Sequence, residues 1–297
     1  MRFNRFSCIL CSVRGDLLIR DLLLVIIVFA PILTQNYSIL WISTLSMIYS
    51  LLVISWLFME RQSGWTSFAH SIPFGLAAYL LAIYPYAVFI APLVSTALFL
   101  TISKLDRVKF VFVTFVLTVV FWLSSFYIVI ERNGISIGGE EGFSVLSLYL
   151  SESYIFAVLL LISSYVFVRV LEKSSIGLKM AAMRDDEEAA RAIGINVFKY
   201  RFMNFVISCS IASLSGICYA LFFGHVSPDV FSIEVALFPF IATFIAGRAW
   251  ISAVVGSYIL VIVSRVFSGF VPDFHLLIYA IVLIASPKLR RWWGVKC

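Results

Sequence analysis

The stretch Leu171–Tyr200 reads LEKSSIGLKMAAMRDDEEAARAIGINVFKY, and it interrupts a chain that is otherwise a succession of apolar runs. Glu172, Lys173, Lys179 and the cluster Arg184-Asp185-Asp186-Glu187-Glu188 give it a charge density that no lipid-embedded segment carries, so it must lie in water. Arg184 to Gly194 predicts a short helix. Asp185 or Asp186 can cap it, the carboxylates of its first turn complement the helix dipole, and Gly194 suits a left-handed stop. Glu187 and Arg191 stand at i and i+4 in the favourable order, worth about 0.3–0.5 kcal/mol. A solvated charged loop is the plain alternative. Against it, Ala189, Ala190 and Ala192 leave a small-residue face that another surface can approach closely, which a purely solvated helix does not need.

Working outward, 297 residues at 62% hydrophobic and 13% charged, with 28 Phe, lie far outside soluble composition. The chain is an integral membrane protein, and its aqueous loops are too short for a second domain. The reading is one transmembrane domain over 1–297 with a loop at about 172–200. A span needs about 20 mainly apolar residues; such runs fall at roughly 17–35, 38–59, 66–84, 86–102, 108–130, 152–171, 201–223, 233–247, 249–267 and 271–287. The fold expected is an all-α polytopic transmembrane helical bundle of about ten spans, eight to ten if the Pro73-containing run and the short 233–247 run are re-entrant.

Flanking charge supplies an independent check. With ten spans, Arg2, Arg5, Arg14, Lys104, Arg107, Lys109, the bases of the 171–201 loop, Lys288, Arg290, Arg291 and Lys296 share one side, which the positive-inside rule makes cytoplasmic. Both termini are then cytoplasmic. The opposite loops carry Glu140, Glu141 and Asp229, and the net charge of +6 reads as membrane flanks, not as a nucleic-acid surface. The N-terminal apolar run lacks a small-residue cleavage site and reads as a retained span. Cys8 and Cys11 form a lone C-x-x-C without a second pair or a nearby histidine, a weak case for zinc.

The chain has no G-x-x-x-x-G-K-[ST], no H-E-x-x-H and no G-x-S-x-G, and His70, His225 and His275 fall in separate regions. A transporter so built draws its energy from an ion gradient or from another subunit. An ion-coupled carrier should hold ionisable groups at mid-membrane depth, where each costs about 2.5–3.5 kcal/mol or more. Here Glu60, Lys109, Glu234, Arg248 and Arg265 lie at or near the expected span ends, with Arg265 deepest and able to snorkel. Coupling by this chain itself is therefore disfavoured.

Three motifs carry a resemblance. EEAARAIGINVFKYRFMNFVISCSIASLSGICYALFFGHVSPDVFSIEVAL, with Glu188, Ala189, Ala190, Gly194, Ser213, Gly216, Val226, Ser227, Pro228, Phe231 and Glu234, resembles the permease subunits of ABC importers for branched-chain amino acids, of the LivM type. Upstream, Gly64, Ser67, His70, Gly75, Ala78 and Tyr79 are similar to the family's Gly-Gln-x-Ser-x-Gly-His-x-x-Phe-x-Gly-x-Gly-Ala-Tyr run, with Ala69 and Ala77 in place of glycines and Pro73 in place of the aromatic residue. Gly138-Gly139-Glu140-Glu141-Gly142 is like its external Gly-Gly-x-x-Gly. The chain departs from the pattern at Leu105–Phe110, where only Thr114 survives downstream, and at Ala246-Gly247-Arg248-Ala249, with Gly256 kept.

The resemblance implies a transport subunit and not an enzyme, in the plasma (inner) membrane of a prokaryote. It implies no cofactor in this chain, with ATP used by a partner subunit. The implied partners are a second, related permease, cytoplasmic ATPase subunits, an extracytoplasmic solute-binding protein and the lipid bilayer, with no nucleic acid. ATPase coupling would fall to Glu187, Glu188, Ala189, Ala190 and Gly194, and the translocation path to Ser67, His70, Gly75, Tyr79, Ser213, Gly216 and Gly247. Backbone groups at broken helices could hold an amino acid's charges. Small residues serve close helix packing equally well, and a neutral hydrogen-bonded histidine needs no ligand. A self-sufficient ion-coupled carrier or channel for a small polar solute is the alternative from another class.

Overall fold

The computed structural model describes residues 28, 30–32, 36–132 and 135–268. Most of the first expected span, all of the tenth, both termini and the Cys8–Cys11 pair lie outside these residues.

Helix α1 (Tyr37–Ser63) is the axis of the bundle. Asn36 caps it by accepting from the Ser38 N–H, and Gly64 ends it at φ +70°. It is buried along most of its length and packs against α5 (Leu150–Lys173), α8 (Val197–Phe223), α9 (Ile233–Ala246) and α10 (Trp250–Ser268). A helix in this position carries polar groups only if they are satisfied internally. Thr44, Ser46, Ser50 and Ser55 each donate to a carbonyl of α1's own preceding turn, at 2.6–2.8 Å.

Helix α8 bridges α1 to α2 (Ser71–Ile83) through small side chains. Ser208 and Ser215 donate to the carbonyls of Ser55 and Ile48 on α1, and Ser213 donates to Pro73 on α2. At the α2 crossing, a Cβ on Gly216 would fall 2.0 Å from the Phe74 carbonyl oxygen, so only glycine lets the two backbones meet. Helix α3 (Ile90–Ile102) covers another side of α8. Helix α4 (Arg107–Ser125) lies at the periphery, with Val108, Phe112, Val116, Val120 and Leu123 exposed in an apolar stripe, as a lipid-facing surface requires.

Among the described residues, α1, α4, α5 and α8 are long and apolar enough to cross a membrane. Ile233–Ala246 and Trp250–Val266 form a fifth span if the pair, bent by 111° at its break, is counted as one. Helices α2 and α3 have 13 residues each, about 20 Å of rise against a hydrocarbon core of about 30 Å.

Several elements differ from the sequence expectation. The run at 66–84 is helical only from Ser71, and Pro73 lies in the first turn of α2, where a missing N–H breaks no helical bond. The preceding segment, 64–70, is irregular yet buried, and side chains satisfy its backbone. The Trp56 indole donates to the Ser67 carbonyl, the Phe68 N–H donates to Thr114 Oγ1, and Thr118 donates to the Phe68 carbonyl. The 86–102 run becomes a three-residue 3-10 turn (Pro85–Ala87) and then α3. The loop at 172–200 is mostly helical, as α6 (Ser175–Asp185) and α7 (Glu187–Ala192).

Four short strands were not expected. β1 (Val129–Arg132) pairs antiparallel with β2 (Ile135–Gly138), and β3 (Phe143–Ser144) pairs with β4 (His225–Val226), Phe143 opposite Val226. The second pairing joins the 126–149 and 224–232 connections at the same end of the bundle.

Candidate functional site

Helix α7 is six residues long, too short to persist without tertiary support. Asp186 caps it, accepting from the N–H groups of Glu188 (2.9 Å) and Ala189 (3.1 Å). Ala190 is buried and packs with Met183 and Val197. Glu187 turns back toward the bundle. Its carboxylate meets the guanidinium of Arg201 on α8 at 2.6 Å, with Arg107 at 3.6 Å and Arg191 at 3.9 Å. Glu188, Ala189, Ala192, Ile193 and Gly194 face outward, and Gly194 has φ +83° with nothing within 4 Å of where a Cβ would stand. Of the residues expected to couple, Glu187 and Ala190 therefore anchor the helix, while Glu188, Ala189 and Gly194 form its accessible face.

The anchor extends across the bundle end. Arg184 donates to the Arg61 carbonyl (2.7 Å), and Arg107 donates to the Arg184 carbonyl (3.2 Å). Arg61 pairs with Glu172 at 2.5 Å and stacks over Trp250, whose indole N–H donates to the same carboxylate at 2.6 Å. Arg248 pairs with Glu60, and its carbonyl accepts from Arg61. Arg201 lies over the Trp65 ring at 4.8 Å. One network of charges thus ties the α6–α7 segment to the ends of α1, α4, α5 and α8 and to the α9–α10 turn.

The residues expected along a translocation path fall into two groups. Ser67, His70, Gly75, Tyr79, Ser213 and Gly216 are brought together at the α2–α8 crossing and its flanks. Ser67 Oγ accepts from the Ala69 N–H, and His70 Nε2 lies 2.8 Å from Ser208 Oγ. Gly75 faces the Phe231 ring, with an ideal Cβ only 2.4 Å from Cε1. Tyr79 packs edge-on to Phe143 and against Phe231 at 5.2 Å. A Cβ on Gly142 would stand 2.1 Å from the Val226 carbonyl oxygen. Residues 75–79, 138–142 and 226–231 therefore interlock at the end of the bundle where β3 pairs with β4, whereas Gly64 and residues 188–194 of the same motifs lie at the α7 end. Gly247 stands apart, at φ +92° in the α9–α10 turn beside the Arg248–Glu60 pair.

Sequence reasoning missed the partners Arg61, Glu172, Arg201 and Trp250. Basic and acidic residues at the ends of apolar runs were the available signal, but which run meets which is a property of the fold. Among the described residues no group of three or more His, Cys, Asp or Glu could hold a metal ion.

Residues 38–287 match the model of a family described as branched-chain amino acid transport system, permease component. The chain is 30% identical over 112 residues to the high-affinity branched-chain amino acid transport system permease protein LivM of Escherichia coli (strain K12), covering 38% of this chain and 26% of that protein. It is 26% identical over 85 residues to a probable branched-chain amino acid transport permease protein LivM of Methanocaldococcus jannaschii, covering 28% and 25%. The matched stretches thus span about a quarter of each relative's length. No solved structure matches. With the family model matching most of the chain across all three motifs, the chain belongs to the branched-chain amino acid transport system permease family, a family of membrane transport subunits.

Proposed function

We propose that this chain is the permease subunit of an ATP-binding-cassette importer that moves amino acids, branched-chain ones first among them, across the cytoplasmic membrane of a prokaryote. A second permease completes the membrane unit, ATPase subunits dock on its cytoplasmic end, and an extracytoplasmic binding protein delivers the solute. The bundle crosses the bilayer eight to ten times, with the α7 end in the cytoplasm and α7 as the coupling helix. The observation that carries this reading is the two-sidedness of α7: Glu187 and Ala190 hold it to the bundle, while Ala189, Ala192 and Ile193, with Phe198 nearby, leave an apolar, small-residue surface exposed. Exposed apolar surface of this kind fits a protein partner. The anchoring arginines would pass motion at that surface to the ends of α1, α4, α5 and α8.

Ala189→Trp tests it. The residue is exposed, so the bundle should insert normally, while co-purification of the ATPase subunit and ATP-dependent leucine uptake should both fall at least about tenfold, the loss of roughly 1.4 kcal/mol at a close-packed contact. Equal ATPase recovery from Ala189→Trp and wild type removes the docking role. Leucine uptake by the purified chain alone under a proton or sodium gradient would favour the self-sufficient carrier instead.

A further inference from the structure

At the end of the bundle where β3 pairs with β4, a cavity of about 350 Å³ opens between the last turn of α2, the β1–β2 pair and β3. Its walls are apolar, formed by Ile83, Ile130, Ile137 and Phe143. Three polar side chains share the lining. Glu131 is exposed and, among the described residues, its carboxylate has no ion-pair or hydrogen-bond partner; the hydroxyls of Tyr84 and Ser144 are also unpartnered. Helix α2 ends on the rim. The Leu80 carbonyl accepts from the Tyr84 N–H at 2.7 Å, and Pro85 has no N–H to offer the Leu81 carbonyl. The negative end of the α2 dipole therefore adjoins the cavity at Ala82, Ile83 and Tyr84. In sequence, the 126–149 connection carries Glu131, Glu140 and Glu141 against the single base Arg132. An unpaired carboxylate, a helix C-terminus and an acidic connection all favour a positive guest.

We propose that this cavity is a binding site for an organic monocation with an apolar body, an alkyl- or arylammonium ion that carries no carboxylate, with Glu131 receiving the ammonium and the body lying among Ile83, Ile130, Ile137 and Phe143. The three N–H donors of a primary ammonium find as many acceptors on the lining, one carboxylate and two hydroxyls. The volume lies at the small end of ligand pockets, which run from roughly 300 to 1,000 Å³, so it suits a single ring or a short branched chain. A bare divalent cation is a poor match, since it takes about six oxygen ligands or more and this lining offers one carboxylate. An anion meets Glu131 and the helix end, both of the wrong sign. A free α-amino acid is disfavoured for the same reason, because its carboxylate finds no base among the described lining residues. A neutral molecule fills the walls and leaves Glu131 unmatched. The site does not depend on the transport reading.

The test is equilibrium binding of radiolabelled 2-phenylethylammonium to the full chain in an uncharged maltoside detergent at neutral pH. Three competitors share its phenyl body: the alcohol 2-phenylethanol, the acid 3-phenylpropanoate and the zwitterion L-phenylalanine. Wild type should bind the ammonium ion saturably and favour it over the alcohol by roughly three- to tenfold, as a charged contact at an exposed carboxylate allows, and over the acid and the zwitterion by more. Glu131→Gln should weaken the ammonium ion by that factor and erase its advantage over the alcohol, whose own affinity should not change. Ala82→Trp fills the cavity without touching the charge and should abolish saturable binding of both while the chain stays monodisperse. No saturable binding in wild type, equal ammonium binding by Glu131→Gln, binding that survives Ala82→Trp, or L-phenylalanine binding as tightly as the amine each overturns the assignment. Amino-acid uptake enters none of these measurements, so their failure leaves the transport reading standing.

Discussion

Replacing Glu187 with Gln should loosen α7 without disturbing the bundle, by an amount that can be worked from its contacts. The Glu187–Arg201 pair at 2.6 Å is partly buried, with side-chain exposures of 23% and 13%, so solvent screens it little. A glutamine oxygen can still accept from Arg201, so the change removes the charge assistance and not the hydrogen bond, about 1–2 kcal/mol. Arg107 at 3.6 Å and Arg191 at 3.9 Å have more exposed side chains and together add about 0.5–1 kcal/mol. A total of about 1.5–3 kcal/mol corresponds to a rise of roughly 10- to 100-fold in the population of detached α7. Hydrogen exchange reads that population directly. The amides of Ala190, Ile193, Gly194 and Ile195, which bond to the carbonyls of Asp186, Ala189, Arg191 and Ala190, should lose protection by that factor, while those of α1 and α8 should not change. High salt applied to wild type should reproduce only the smaller Arg107 and Arg191 share, since the Debye length falls to about 3 Å at 1 M. Exchange at Ile193–Ile195 within twofold of wild type in Glu187→Gln, or protection lost equally throughout the chain, would refute the anchor.

Gly216→Ala should destabilise the whole bundle, because its Cβ meets the Phe74 carbonyl oxygen at 2.0 Å and neither backbone can yield cheaply. A loss of about 1–3 kcal/mol or more should appear as a lower melting temperature in detergent, and an unchanged melt would contradict the crossing. Glu172→Gln should weaken contacts to both Arg61 and Trp250, about 1.5–3 kcal/mol, and lower the denaturant midpoint while shifting tryptophan emission to longer wavelength. Emission that stays at the wild-type wavelength would show that Trp250 is held by its packing alone.

The long helices were legible because a bilayer imposes a length: α1, α4, α5 and α8 each contain an apolar run that reaches it, and their bounds follow local signals such as the Asn36 and Asn196 caps and the left-handed Gly64 and Gly224. The α7 cap was equally local, since Asp186 needs only its own next three residues. The irregular 64–70 segment was not legible. Its apolar composition reads as span, and what unwinds it are Trp56, Thr114 and Thr118, whose side chains satisfy its backbone from other helices. The β1–β2 pairing had a signal that apolar-run counting passes over: in the sequence, Asn133-Gly134 stands between Val129-Ile130 and Ile135-Ser136-Ile137, and Asn-Gly between β-branched residues is a strong short-range hairpin signal.

The same distinction separates what the motifs meant from what they do. Gly75, Gly142 and Gly216 read equally well as ligand-lining or as packing, because in both cases the sequence needs the same missing methyl. In the fold each is pressed against a specific partner, the Phe231 ring, the Val226 carbonyl and the Phe74 carbonyl, and each partner belongs to or adjoins another of the motifs. The motif glycines therefore set how closely α2, α8 and the outer connections approach one another. Charge is placed differently, at the ends of α1, α5 and α8 and in the α9–α10 turn, where it holds the α6–α7 segment to the bundle through contacts that no single stretch of sequence contains.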